Sequence, residues 1–401
     1  MSVELPHGTE VVTDVGGVTD DGRRVEAGAL GRVVATAPGE VVVQLVGGGR
    51  LRIDAGHVTP RRGGQLRFAE RRAAAWSALR PCVVLEAVVG SRAWGVADEC
   101  SDTDRRGAFV LPWTWSAGLG APVEELVSAD GSATHWEVGK LLRQALRNDP
   151  NTLELLFADG VAARDPMGEW LLAARERFPS ALIYGSFARY ALSQGKKLRQ
   201  SARLAAHRGL VLDWLRAEPG LALDRLAARL ARSTGVDDGR ARDYLKQLYR
   251  SMYDQGLIAS NDLAALATLA ADGAAASLEL PRELRPKNAY NLLRLLHTAL
   301  GWLETGRPTL RVDEELAARL RAIKQGEVAI DEVLAEADAL APALEAARAR
   351  TPLPQRPDVT AADALLRLIR EEAARRWVRE VPGPWGADAP PPPRVEWQEE
   401  S

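Results

Sequence analysis

Residues 82–111 read CVVLEAVVGSRAWGVADECSDTDRRGAFVL. Cys82 to Val89 is an almost unbroken apolar run of strand length, the pattern of a strand buried on both faces inside a sheet. Gly90-Ser91-Arg92 breaks the run, and a Gly-Ser turn after a buried strand can offer backbone N–H groups and a hydroxyl to a phosphate. The chain then brings two carboxylates, Asp102 and Asp104, into a second strand-like run, Arg106 to Leu111. In an extended chain, alternation places Asp102 and Asp104 on one face and Thr103 on the other. Carboxylates that converge repel unless a cation lies between them, and hard oxygen ligands select Mg²⁺ or Mn²⁺. Such a site suits displacement at phosphorus. An Asp-x-Asp or a Gly-Ser pair alone is usually a solvated turn; the order strand, Gly-Ser, Asp-x-Asp, strand carries the weight.

Outward from this segment, a helical pattern covers 67–80, and a third strand, Thr134 to Val138, leads into a helical pattern over Lys140 to Leu146. The expected class is α+β, with these strands and helices forming a domain over residues 67–198. From Leu198 to Trp377 apolar residues recur at three- and four-residue spacing, which predicts a helical domain over 199–381. Before the sheet, the runs Val11-Val12, Gly31 to Ala35, Val41 to Leu45 and Leu51 to Ile53 alternate with Gly-rich turns. They predict a small antiparallel β-barrel over residues 1–64, resembling SH3-like and KOW-like modules that bind RNA or protein. The last segment, 382–401, is Pro-rich and acidic and reads as a disordered tail.

The 401 residues carry 52 basic and 54 acidic side chains, a formal net charge of −2, which argues against wholesale polyanion binding. Only six of the basic residues are lysines, a bias expected of GC-rich coding. No apolar run approaches the ~20 residues of a membrane span. The N-terminus lacks the pattern of a secretory signal, and two cysteines supply at most one disulfide, so a soluble cytoplasmic protein is expected.

The Gly90-Ser91 turn, the Trp94-Gly95 pair and the Ser101 to Gly107 stretch together resemble the DNA polymerase β superfamily of nucleotidyltransferases. The match is closest to a bacterial branch, some members of which accompany RNA ligases in RNA-repair operons. Further agreement lies in Trp136-Glu137-Val138 with Lys140, in Asn148 through Leu156, in Tyr184-Gly185-Ser186, and in Lys287 through Arg294 to Thr305-Gly306. The resemblance covers roughly residues 68 to 370. It implies transfer of a nucleoside monophosphate from a nucleoside triphosphate to a hydroxyl, on a mixed sheet with flanking helices. By this resemblance Gly90, Ser91 and Arg92 hold the triphosphate, and Asp102 and Asp104 hold Mg²⁺ or Mn²⁺. The superfamily's third carboxylate is expected at Glu137, with Asp130 as the rival.

Helical spacing places Lys287, Asn291 and Arg294 on one face, opposite Leu292, Leu296, Ala299 and Leu303, and Lys140, Arg143 and Arg147 on another helix face. Lys140, Lys287 and Arg294 are the expected triphosphate cations; Asn291 stands where family members often carry His. Between Arg177 and Leu212 there are seven basic residues and no acidic one. Within that run Lys196, Lys197, Arg199 and Arg203 are the expected acceptor-binding residues. An RNA end is the favoured acceptor, with an RNA ligase or other repair partner and no membrane; a protein or small-molecule hydroxyl is the alternative. A catalytically inactive nucleotide- or RNA-binding module of the same fold is the competing reading. Gly185-Ser186 lacks a following Asp-x-Asp and reads as no second site. The segment Leu223 to Ile258 superficially resembles a helix-turn-helix, but Asp237 and Asp238 oppose phosphate there, so it reads as helical packing.

Overall fold

The computed structural model describes residue 5 and residues 8–46, 48–61, 65–99, 101–119, 122–128, 131–254, 258, 260–271 and 284–392. The chain divides into two compact units, Met1–Leu182 with Pro308–Arg311 and Pro354–Ser401, and Ile183–Arg307 with Val312–Leu353.

In the first unit, β1 (Glu10–Thr13), β2 (Gly17–Val18), β3 (Arg24–Val25), β4 (Leu30–Ala37), β5 (Glu40–Leu45), β6 (Arg50–Asp54) and β7 (Val58–Pro60) come first. The sheet order is β6-β5-β4-β1-β7, all antiparallel, with β2 and β3 as a separate ribbon. The four expected strand runs are present, but the expected barrel does not close. β6 and β7 are the two edges of an open sheet. Pro60 on β7 has no N–H to donate, as suits an edge strand. Alternation buries Val11, Val33, Val41, Val43, Leu51 and Ile53 on a single face.

The second sheet follows α1 (Gln65–Leu79). Its elements are β8 (Val83–Val89), β9 (Asp104–Phe109), α2 (Trp113–Ser116), β10 (Glu125–Val127), β11 (Ala133–Glu137), α3 (Val138–Ala145), α4 (Pro150–Phe157), β12 (Ala162–Ala163) and α5 (Pro166–Ala174). The order is β10-β11-β9-β8-β12, with β9 and β11 parallel and the other pairs antiparallel. The three expected strands are its centre. The edges β10 and β12 are only three and two residues long, too short to show alternation in sequence.

The expected helical domain over 199–381 is corrected at its end, and the expected tail is corrected over residues 382–392. The helix α13 (Val359–Val378) belongs to the first unit and packs on α3 and α5. Arg376 near its end pairs with Asp165 at 2.7 Å. Beyond it, Trp385 is 5% exposed and its indole N–H donates to Val110 O at 2.9 Å, while the Trp115 indole donates to Pro390 O at 2.8 Å. Two indoles, each with a large apolar ring and one donor, outweigh the composition that made this segment read as disordered. Residues 393–401 lie outside the described residues.

The second unit enters through a π-helical turn, Tyr184–Arg189, which holds Gly185-Ser186, and continues into α6 (Tyr190–Ala217). Its further helices are α7 (Leu223–Thr234), α8 (Asp238–Asp254), α9 (Leu263–Ala271), α10 (Pro286–Thr305), α11 (Glu314–Gln325) and α12 (Ile330–Arg350). Gly235, Gly306 and Gly326 end α7, α10 and α11 in the left-handed conformation, the usual stop. Leu215, Leu226, Leu230, Leu245 and Leu266 form one core across the end of α6 and α7 to α9. Asp237 accepts from Arg240 N at 2.9 Å and so caps α8. Among the described residues no helix is long and apolar enough to cross a membrane.

Candidate active site

The site starts where β8 stops. Val89 pairs in register with Asp104, and the next residue, Gly90, takes φ +69°. A Cβ on Gly90 would lie 2.9 Å from Asp104 Oδ2. Glycine therefore serves twice here: it supplies the left-handed turn, and it lets the Asp104 carboxylate lie against that turn. Ser91 is half-buried, Arg92 and Asp102 are exposed, and Asp104 is half-buried at the first position of β9.

A buried carboxylate holds the turn from behind. Glu154 Oε1 accepts from Gly90 N at 2.7 Å and from the Trp94 indole N–H at 2.6 Å, and Glu154 and Trp94 are only 5% and 2% exposed. The path to Glu154 is built locally. Asn148, at φ +54° in the turn after α3, is buried and donates to Phe178 O at 2.8 Å; Asp149 caps α4, and Pro150 opens it. This turn sets Glu154 on the buried side of α4, under the Gly-Ser turn. The loop between turn and strand folds on itself. Arg92 donates to Ser101 O at 2.7 Å, and Ser101 Oγ donates to Asp98 Oδ1 at 2.7 Å and accepts from Asp98 N at 2.8 Å. The Gly90 N–H is thus committed to Glu154, and the Arg92 guanidinium to Ser101.

The sheet register does not bring Glu137 to Asp104. Glu137 pairs with Phe109, five residues along β9 from Asp104. At about 3.3 Å per residue this separates them by about 16 Å, and the odd offset puts their side chains on opposite faces. Glu137 instead caps α3, accepting from Gly139 N at 2.7 Å and Lys140 N at 3.2 Å, with Arg370 at 3.8 Å. Burial pushes its carboxyl above the ordinary range, opposed by Arg370 and by those two N–H groups. Lys140 shares that far end and pairs with Glu125 at 2.9 Å, as Arg143 pairs with Glu124 at 2.7 Å. Asp130, the rival carboxylate, lies outside the described residues. Among the described residues no three acidic, His or Cys side chains gather as a metal site.

Strand parity does place other residues beside Asp104. Arg106 lies two positions on, so it shares the Asp104 face, and its register partner is Thr134. The Arg106 guanidinium sits 5.5 Å from the Trp136 ring centroid, and its buried Nε has no hydrogen-bond partner among the described residues. The β11 positions on this face are thus Thr134 and Trp136, and neither is acidic.

The opposite face carries a separate network. Glu86, Gly107 and His135 are in register across β8, β9 and β11. His135 lies 3.0 Å from Glu86, and its ring stacks on Trp76 at 5.2 Å between centroids. The His135 hydrogen bond, with Arg80 and Arg164 alongside, holds the Glu86 carboxyl at about 2. A Cβ on Gly107 would lie 2.2 Å from His135 Cδ2, so this glycine makes room for the buried imidazole. Burial alone pushes the Cys82 thiol up to about 12.

The structure thus seats Asp104 against Gly90, with Ser91 and Arg92 next in the same turn and Asp102 two residues before Asp104, and sets Glu137 and Lys140 apart from them. Lys287 and Arg294 are on α10 of the second unit, and Lys196, Lys197, Arg199 and Arg203 are on α6 of the same unit. At about 100° per residue, Lys196, Arg199 and Arg203 form one stripe and Lys197 faces elsewhere. Arg199 is tied to Asp338 of α12 at 2.7 Å. Glu154 and Arg106 were missed from sequence. The available signal for Glu154 was a single acid between leucines, Leu153-Glu154-Leu155, where an apolar helix face leaves no room for an unpaired charge.

No curated protein and no solved structure matches the chain. Residues 66–230, the stretch that holds Gly90, Asp102, Asp104 and Glu154, match the RNA repair pathway DNA polymerase beta family.

Proposed function

We propose that the protein transfers a nucleoside monophosphate from a nucleoside triphosphate to a hydroxyl, with an RNA end as acceptor. The observation that carries this reading is the Asp104 carboxylate seated against the Gly90 turn, with Asp102 two residues before it. Two carboxylates are the donor set that Mg²⁺ takes when substrate phosphates complete its coordination, so Asp102 and Asp104 fit one such ion. When bound, the ion would supply charge stabilisation at the α-phosphate and the leaving pyrophosphate. Ser91 and Arg92 would orient the triphosphate, and Arg106 would offer a guanidinium from the same face. The acceptor oxygen bonds to the α-phosphorus as the bond to the pyrophosphate oxygen breaks, and the hydroxyl proton passes to water. The RNA acceptor is supported by the family match and by the acid-free basic run from Arg177 to Leu212.

The test uses α-labelled nucleoside triphosphates with RNA bearing free ends, in Mg²⁺ or Mn²⁺. Asp104→Asn should lower labelling of RNA by about 100-fold or more, the effect of losing about 3 kcal/mol of transition-state stabilisation. Equal labelling by wild type and Asp104→Asn sinks the assignment, and label in protein or small molecules alone sinks the RNA acceptor. A second reading, a module that binds nucleotide without turnover, is favoured by Thr134 and Trp136 standing where an acid would share the Asp104 face. Calorimetric nucleotide binding with no pyrophosphate release would establish that reading instead.

A further inference from the structure

We propose that a cavity between α6 and α10, wholly within the second unit, binds one unpaired nucleobase with its adjoining phosphate. The cavity has a volume of about 200 Å³. Its polar wall is Tyr190, Gln194 and Lys197 of α6 with Asn288 and Asn291 of α10. Leu198, Leu292 and Leu295, all buried, form the floor. Ligand sites that enclose a drug-sized molecule run to roughly 300–1,000 Å³, so this one takes a single ring system and leaves a sugar and phosphate outside.

The lining chemistry selects a base. Tyr190, Gln194 and Lys197 recur at i, i+4 and i+7 and so line one side of α6, away from the Lys196, Arg199 and Arg203 stripe. Tyr190 is 52% exposed and presents a ring on which a base can stack. Gln194, Lys197 and Asn291 make no hydrogen bond to protein among the described residues. Each amide brings one acceptor and two donors, which complement the mixed donor and acceptor edges of a nucleobase. An aliphatic ligand would leave these groups unpaired, at a cost in affinity. Among the described residues no acidic one lines the cavity, and Lys197 at its rim is an exposed ammonium placed for a phosphate. The same chemistry is carried by a base in a single RNA strand and by a free nucleotide. The inference extends the RNA reading but does not depend on catalysis at Asp104.

The experiment uses the full chain and the fluorescence anisotropy of labelled 12-nucleotide oligoadenylate, a 12-base-pair RNA duplex of mixed sequence, and ATP as competitor. Single-stranded RNA should bind more tightly than the duplex, whose bases are stacked away. Tyr190→Ala should weaken single-strand binding about 5–150-fold, equivalent to about 1–3 kcal/mol for one stacked base. Asn291→Leu should weaken it as well. Both variants should keep the wild-type thermal midpoint, and Lys197→Gln, at an exposed position, gives a third reading. If ATP competes and its affinity also falls in Tyr190→Ala, the source includes free nucleotide; if ATP does not compete, the source is the strand. The base site is overturned if neither the single strand nor ATP binds, or if all three variants bind both as the wild type does. Asp104→Asn should lose transfer and keep this binding, which separates failure here from failure of the transferase reading.

Discussion

Replacing Glu154 by alanine removes the one oxygen that receives both the Gly90 N–H, at 2.7 Å, and the Trp94 indole N–H, at 2.6 Å. Trp94 is 2% exposed, so water has little access to its orphaned donor. A buried donor left without a partner costs about 1–3 kcal/mol; the Trp94 N–H bears this in full and the half-buried Gly90 N–H less, which predicts a loss of about 2–4 kcal/mol. Glu154→Gln keeps an acceptor oxygen at nearly the same place and should lose about half as much. On the proposed function, transfer should suffer beyond stability, because the released turn no longer holds Gly90 against Asp104. In a folded Glu154→Gln population the KM for nucleoside triphosphate should rise several-fold. Urea unfolding of the wild type and both variants, with steady-state transfer kinetics on each, gives the comparison. A stability loss below about 1 kcal/mol for Glu154→Ala, together with unchanged KM in both variants, would refute the reasoning, since the acceptor would then be dispensable.

Two further outcomes concern the frame around the site. Glu86 is held at about 2, below its ordinary 4.5. A carboxylate whose folded pKa is depressed stabilises the fold above the unfolded value and loses that contribution as pH falls toward the folded one. Glu86→Gln should therefore remove about 3 kcal/mol at neutral pH and flatten the stability curve between about pH 4.5 and 2; an unchanged acid limb contradicts the network. Trp385→Ala should cost about 3–5 kcal/mol, as for a buried aromatic, in thermal or urea unfolding. A loss within about 0.5 kcal/mol would return residues 382–392 to a dangling tail.

What was legible follows from how much each feature depends on pairing. β8, β9 and β11 are visible because a buried strand writes its burial into consecutive apolar residues. Gly90 and Asp104 stand out in sequence as a Gly-Ser break and an Asp-x-Asp between two strand runs, but their apposition comes from the β8/β9 register. Glu137 sits at a strand end as expected, but its distance and face are set by the β9/β11 register, which spacing along one strand does not contain. Barrel closure has the same limit, since an open sheet and a barrel share one alternation. Lys196, Lys197, Arg199 and Arg203 are neighbours in sequence, yet a helix turns Lys197 toward the α10 amides and Arg199 toward Asp338.

That division changes what the basic run can do for RNA. Of its seven cations, Arg177 pairs with Asp358 at 3.5 Å in the first unit, and Arg199 pairs with Asp338 at 2.7 Å. The residues from Glu304 to Glu345 hold ten acids against five bases, so the helices that carry Asp338 also lower the potential that α6 presents. A wall of seven free cations would release about 0.7 counterion per phosphate contacted on a single strand, a slope of about −5 in log K against log salt. Recognition centred on Lys197 and the stacked base predicts a slope nearer −1. Measuring oligoadenylate affinity across a range of salt concentrations distinguishes the two. A slope near −5 that persists in Lys197→Gln would mean that the long stripe of α6, and not the amide-lined cavity, is what meets the nucleic acid.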